Sequence, residues 1–285
     1  MADITAAMVK DLRERTGLGM MDCKKALVEA SGDAELAIEN LRKSSGMKAA
    51  KKAGRTAADG LIGHKVEGGV AAMVEVNCET DFAGREPNFL GFVETVTNAV
   101  FDSKQTDIEA LMATGIEATR EALVQKIGEN VSVRRAAVYE GMVASYVHTN
   151  GKIGVLVKLE GGSEELGRDI AMHIAAVNPQ VVSGEDVSAD AIAKEKEIYV
   201  AQAAESGKPP EIIEKMVEGR IRKYLSEISL VEQAFVKDPD IKIGALLKKA
   251  DAKVVEFARF EVGEGIEVEE VAFAEEVKKQ ISGDA

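Results

Sequence analysis

Between Val70 and Cys78, the residues Val70, Ala72, Val74, Val76 and Cys78 alternate with Met73, Glu75 and Asn77. A period of two is the signature of a β-strand with one apolar face. Such a face must be covered, and the chain supplies the cover at once. Gly84 and Pro87 break regular structure, and Phe89, Val93, Val96 and Val100 then recur at helical spacing. Strand, turn and helix together call for a sheet with a helix laid on one face. The turn is Asn77-Cys78-Glu79-Thr80-Asp81-Phe82, and Glu79, Thr80 and Asp81 crowd the aromatic with polar groups. Two readings of Phe82 follow. Most phenylalanines are core, so the ring could fold back onto the next helix. Held outward on a rigid turn beside a carboxylate, it would instead be a tool for prying at another molecule.

The pattern recurs. Gly60-Leu61-Ile62 leads through Gly68-Gly69 into the strand ending at Cys78 and then a helix. Gly141-Met142-Val143 leads through Asn150-Gly151 into a strand over Ile153–Leu159, followed by a helix carrying Leu166, Ile170, Ile174 and Val177. Each is a hairpin with a glycine-containing turn feeding a helix, so the chain reads as duplicated α+β subdomains with antiparallel sheets. Between them Thr106 and Glu109 have capping-box spacing, helical segments run to Ile127, and Gly128-Glu129-Asn130 turns into the strand Val131-Ser132-Val133.

Three short helices are expected over residues 1–41. Ile4 before a Thr5 cap, with Val9 beyond, fits a hydrophobic staple. Met8, Val9 and Leu12 form one stripe ended by Gly17. Met20, Cys23 and Leu27 form a second; of Met20 and Met21 one can face the core with its neighbour exposed as a contact, or both can serve local packing. Asp33 caps a third, carrying Leu36, Ile38 and Leu41. Residues 42–59, with Arg42, Lys43, Lys48, Lys51, Lys52 and Arg55, read as a basic linker, helical or flexible. Residues 187–228 interrupt the second unit as an antiparallel helical hairpin, Asp190–Ser206 and Pro210–Glu227, with Ile192, Ile198, Ile212, Ile213, Met216, Val217 and Ile221 as its apolar contacts. A hairpin this long often buries its second face on a partner. The chain returns to a strand at Lys253–Val262 and ends in an amphipathic helix with Phe273, Val277 and Ile281.

Little here resembles an active site. There is no phosphate-cradling glycine loop and no C-x-x-C or H-E-x-x-H, so no cofactor or metal of its own is expected. Cys78 and His148 supply the atoms of a nucleophile and base, but no local motif joins them. His173 is expected at a helix edge or contact surface, His64 in a structural or exposed position, and His148 at a turn where it can touch a partner. The net charge of -13 repels nucleic acid, and with no tryptophan, stacking platforms are scarce. Two cysteines without metal spacing suit a reducing compartment, and the chain start lacks a signal peptide's apolar core. No apolar run reaches the ~20 residues a membrane helix needs. Two function classes remain on physics alone. One is a multi-contact regulator that remodels a partner protein; the other is an adaptor that dimerises through the hairpin.

Leu12-Arg13-Glu14-Arg15-Thr16-Gly17 with Gly19-Met20-Met21-Asp22-Cys23-Lys24-Lys25-Ala26-Leu27, and Glu75-Val76-Asn77-Cys78-Glu79-Thr80-Asp81-Phe82, resemble the two signatures of bacterial translation elongation factor Ts. Lys126-Ile127-Gly128-Glu129-Asn130, Ala171-Met172-His173, Lys215-Met216-Val217-Glu218-Gly219-Arg220 and Arg259-Phe260-Glu261-Val262-Gly263-Glu264-Gly265-Ile266-Glu267 resemble further motifs of that family, in the same order. One position departs: Ala83 stands where the family usually carries valine.

The resemblance implies a cytoplasmic guanine-nucleotide exchange factor for elongation factor Tu, with no active site of its own. It implies a ubiquitin-associated-like module with a basic linker (1–54) and a core subdomain (55–140). A second core subdomain (141–186 and 229–263), a coiled-coil dimerisation hairpin (187–228) and a C-terminal helix (264–285) follow. Thr80, Asp81, Phe82 and Ala83 would disturb the partner's magnesium site. Leu12, Met20, Met21, Ile127 and Gly128 would touch the partner's nucleotide domain, and His148 another domain.

Overall fold

The computed structural model describes residues 4–204 and 209–267. The stripe of Phe273, Val277 and Ile281 lies outside them. The architecture is mixed helix and antiparallel sheet.

Helix α1 (Ala6–Thr16) starts where the Thr5 hydroxyl accepts the Met8 N–H at 3.3 Å. It ends at Gly17, whose left-handed backbone (φ 67°) returns its N–H to the Arg13 carbonyl. Ile4 packs on the same cluster as Val9, as a staple requires. Helix α2 (Met20–Glu29) buries Cys23, Ala26 and Leu27. Helix α3 (Ala34–Lys52) starts on the Asp33 carboxylate, which accepts the Leu36 N–H. It continues through most of the basic segment, which is therefore helical as far as Lys52. Two side chains depart from expectation. Leu36 is exposed while Ala37 fills the core, and Met20 lies outside the core along with Met21. The module is small enough that Leu12, Leu18, Cys23 and Leu27 fill its centre.

The first sheet comes next. Strands β1 (Asp59–Glu67) and β2 (Val70–Cys78) form a hairpin closed by Gly68-Gly69, and β3 (Val131–Glu140) pairs on the other side of β2. Between β2 and β3 run α4 (Asp81–Gly84), α5 (Pro87–Ser103), α6 (Ile108–Leu111), a π-turn over Met112–Ile116 and α7 (Glu117–Ile127). Asp107, one residue beyond the expected Thr106, caps α6 by accepting the Ala110 N–H. Phe89, Phe92, Val93, Val96 and Val100 of α5 cover Ala72, Val74, Val76 and Cys78, as the alternation demands. The opposite face of β2 is not solvated: it is a central strand with both faces buried.

The second unit repeats the first. Strands β4 (Met142–Val147), β5 (Ile153–Glu160) and β8 (Lys253–Glu261) form a sheet in the order β4-β5-β8. Helix α8 (Glu164–Val177) lays Ile170, Ala171 and Ile174 on Val155, Val157 and Leu159. Between α8 and β8 come α9 (Ala189–Ala204), α10 (Pro210–Ile228), the short hairpin β6 (Ala234–Phe235) and β7 (Asp238–Lys242), and α11 (Ile243–Lys249). The ends of the α9–α10 insertion meet, since the Gln180 N–H reaches the Ile228 carbonyl at 2.9 Å and Val181 bridges Ser229. Ala203 and Val217 are buried in the insertion, while Ile198, Val200 and Ile212 are exposed. None of the described helices is long and apolar enough to cross a membrane.

The two sheets meet back to back. Ile62, Ala71 and Met73 of the first pack with Val143, Leu156 and Phe260 of the second. This is why the polar half of the β2 alternation is buried. The sheets pack tightly at Gly154, where a Cβ would lie 2.5 Å from Ile62 Cγ2 and 2.8 Å from Met73 Sδ. Gly154→Ala should therefore cost about 1–3 kcal/mol by overpacking. A urea melt showing an unchanged midpoint would contradict this tight joint.

Candidate functional site

Strand β2 delivers the chain to Thr80, whose extended backbone and hydroxyl cap the single turn α4 by accepting the Ala83 N–H at 3.3 Å. One turn of helix sends neighbouring side chains in different directions. Ala83 and Gly84 point into the core, and Phe82 points out. The ring is 80% exposed, so it does not fold back onto α5. Asp81, half-buried beside it, pairs with Arg85 at 2.9 Å. Ala83, expected at the contact tip, has its methyl packed in the core beneath the turn.

The turn is held from the α7–β3 loop. One Glu129 oxygen accepts the Glu79 N–H (3.1 Å) and the Thr80 N–H (3.0 Å), and the other accepts the Thr80 hydroxyl (2.7 Å). In return the Glu79 carboxylate accepts the Asn130 N–H at 2.6 Å. The end of α3 joins in, with Lys52 donating to the Gly128 carbonyl and the Asn130 amide donating to the Arg55 carbonyl. Glu129 lies in the Lys126–Asn130 motif, but the motif gives no sign that its carboxylate reaches back to residues 79 and 80.

Of the other expected contact residues, Met20 is 51% and Met21 76% exposed at the start of α2. Gly128 is exposed at the end of α7, and Ile127 is half-buried against the core. Lys126 binds Asn88 Oδ1 at 2.5 Å and crowds Gly17, so the module, the end of α7 and the start of α5 adjoin. Leu12 is wholly buried in the module core, because its stripe faces α2 and α3. Its side chain is therefore covered by the module itself, unlike those of Met20 and Met21. His148 is exposed on the β4–β5 turn beside Asn150 Oδ1 at 2.9 Å. Lys152 of that turn pairs with Asp59, whose partner across the first sheet is Cys78. The His148 turn is thus tied to the same end of the first sheet as the Phe82 turn.

The remaining chemistry-bearing groups are structural. Cys78 is buried and donates to the Thr80 carbonyl at 3.2 Å. Burial, helped by Asp59 and Glu129, pushes its thiol pKa up to about 12, so it is no nucleophile at neutral pH. His173 is fully buried rather than at a helix edge. Its Nε2–H donates to Gln233 Oε1 and its Nδ1 accepts the Val236 N–H, with burial lowering its pKa against the Gln233 hydrogen bond. Among the described residues no group of His, Cys, Asp and Glu is placed to hold a metal.

What this geometry can do is present an exposed aromatic and a carboxylate on a turn clasped by the glycine-containing α7–β3 loop. A sequence model of the family described as elongation factor TS matches residues 79–264. A protein of Hahella chejuensis named elongation factor Ts is 65% identical over 99% of this chain and 100% of its own length. Proteins of the same name from Marinobacter nauticus (61% identical, 97% of each chain) and Saccharophagus degradans (58%, 98% of each) are similar across the same span.

Proposed function

The chain belongs to the elongation factor Ts family, and from that premise we propose that it releases GDP from elongation factor Tu and holds the nucleotide-free form until GTP binds. The observation that carries this reading is the exposed Phe82 on a turn clasped by the α7–β3 loop. Phe82 enters the partner between side chains beside its magnesium, with Thr80 and Asp81 at the mouth of that site. Met20, Met21, Ile127 and Gly128 contact the nucleotide domain, and His148 contacts a further domain. Leu12 and Ala83 act from beneath, by packing.

Linkage sets the physics. The factor cannot change the partner's nucleotide equilibrium. It must bind the empty partner more tightly than the GDP form, and GDP must weaken its binding by the same factor. A thousandfold faster release needs about 4 kcal/mol off the barrier. Loss of the metal's hold on the diphosphate supplies part of this, and burial of the Phe82 ring supplies about 1–3 kcal/mol. No cofactor of its own is required, and the acidic chain has no need of nucleic acid. The exposed Ile198, Val200 and Ile212 of the α9–α10 hairpin are read as the contact with a second copy in the cytoplasm.

The test is direct. Adding this chain to elongation factor Tu loaded with labelled GDP, with unlabelled nucleotide in excess, should speed label release by orders of magnitude. Release at the unassisted rate would end this reading.

A further inference from the structure

We propose that Glu129 is the positioning residue of the exchange turn, its carboxylate holding the Phe82 turn and the Ile127–Gly128 loop in one fixed arrangement. This rests on the exchange reading above. Phe82 sits on only one helical turn, and a four-residue helix has no stability of its own. Backbone groups at Glu79 and Thr80 lie beyond the last pair of the first sheet, Asp59 with Cys78, so the sheet does not fix them. Glu129 does. Three donors converge on its two oxygens, from residues about fifty positions away in the chain. Hydrogen bonds to a charged acceptor are the strong kind, and the Thr80 hydroxyl that binds Glu129 also caps α4. The clasp is reciprocal through Glu79 and Asn130. A wedge that must enter a partner loses less freedom on binding if its turn is ordered beforehand.

Glu129 touches no reacting atom in this scheme, so its effect runs through Phe82. In the full chain, Glu129→Ala should lower kcat/KM for GDP release about tenfold, the scale of one charged hydrogen bond lost. Amide exchange at Glu79 and Thr80 should quicken while Val74 and Val76 stay protected. Glu129→Gln keeps the shape and one acceptor oxygen and should fall between. In a Phe82→Ala background the further loss from Glu129→Ala should nearly vanish, because a misplaced wedge and a missing wedge are the same defect. A generic structural role would give additive losses and a lowered melting temperature. Either that pattern, or normal exchange by Glu129→Ala despite lost amide protection, overturns the proposal. If Glu129→Ala does not fold, Glu129→Gln carries the same cycle. If the native chain fails to release GDP, the exchange reading fails, and unchanged amide protection in the variants would separately sink the clasp.

Discussion

Phe82→Ala should slow GDP release from elongation factor Tu by about 5- to 150-fold, the loss of ~1–3 kcal/mol of burial in the transition state. The same substitution should leave this chain's own denaturation midpoint within about 0.5 kcal/mol, as surface truncations do. The separation is sharp because the ring is 80% exposed. A core phenylalanine such as Phe89, which is fully buried, would instead cost about 3–5 kcal/mol on truncation. Asp81→Ala should also slow release. Its i,i+4 pair with Arg85 is exposed and adds little to stability. The double substitution should be less than additive, since both groups would act on one metal and switch site. A large loss of stability in Phe82→Ala, with normal exchange per folded molecule, would return the ring to a packing role.

Much of this was legible from local patterns. The alternation over Val70–Cys78 matches β2 residue for residue, and the stripe from Phe89 matches the buried face of α5. Caps at Thr5 and Asp33 lie where their side chains can accept an N–H. Failures came where the answer was tertiary. One-faced alternation could not reveal that the second sheet would bury the other side of β2, nor that Ala37 rather than Leu36 would face the core. At the site, the motif order exposed Thr80–Phe82, but periodicity gave Phe82 two fates. The geometry of one capped turn decides between them, with Ala83 inward and Phe82 outward. Glu129 stood in a quoted motif, but its link to the turn was not legible, because two of its three donors are backbone N–H groups about fifty residues earlier, which leave no trace in side-chain pattern.

The back-to-back sheets carry a second consequence, at Glu75. Its side chain is wholly buried, in a strand whose other residues apart from Asn77 are apolar, and a buried carboxylate must find partners. Arg134 Nη1 reaches it at 3.1 Å, Arg135 Nε at 2.5 Å, and the Gly263 N–H at 2.9 Å. The arginines continue to the Glu261 and Glu264 carbonyls, so the cluster ties the first sheet to the chain leaving β8. Glu75→Ala should destabilise the fold by about 1–3 kcal/mol, because it leaves a cavity and takes the acceptor from the Gly263 N–H and both arginines, although Arg135 keeps Glu264. Glu75→Gln keeps the shape and should cost less. The pH dependence separates charge from shape. Burial opposes ionisation of Glu75, but the Gly263 N–H, Arg135 and Asn77 outweigh it and hold its pKa below the ordinary value. A carboxyl whose folded pKa is depressed adds stability above its unfolded pKa, about 4.3, and loses it as pH falls through the folded value. The gap between the native chain and Glu75→Gln should therefore be full at neutral pH and close as the solution is acidified below about pH 4. Urea melts of both chains across that range measure it. A gap that stays constant with pH would mean that the cluster is held by shape alone and that the charge on Glu75 adds nothing to the joint.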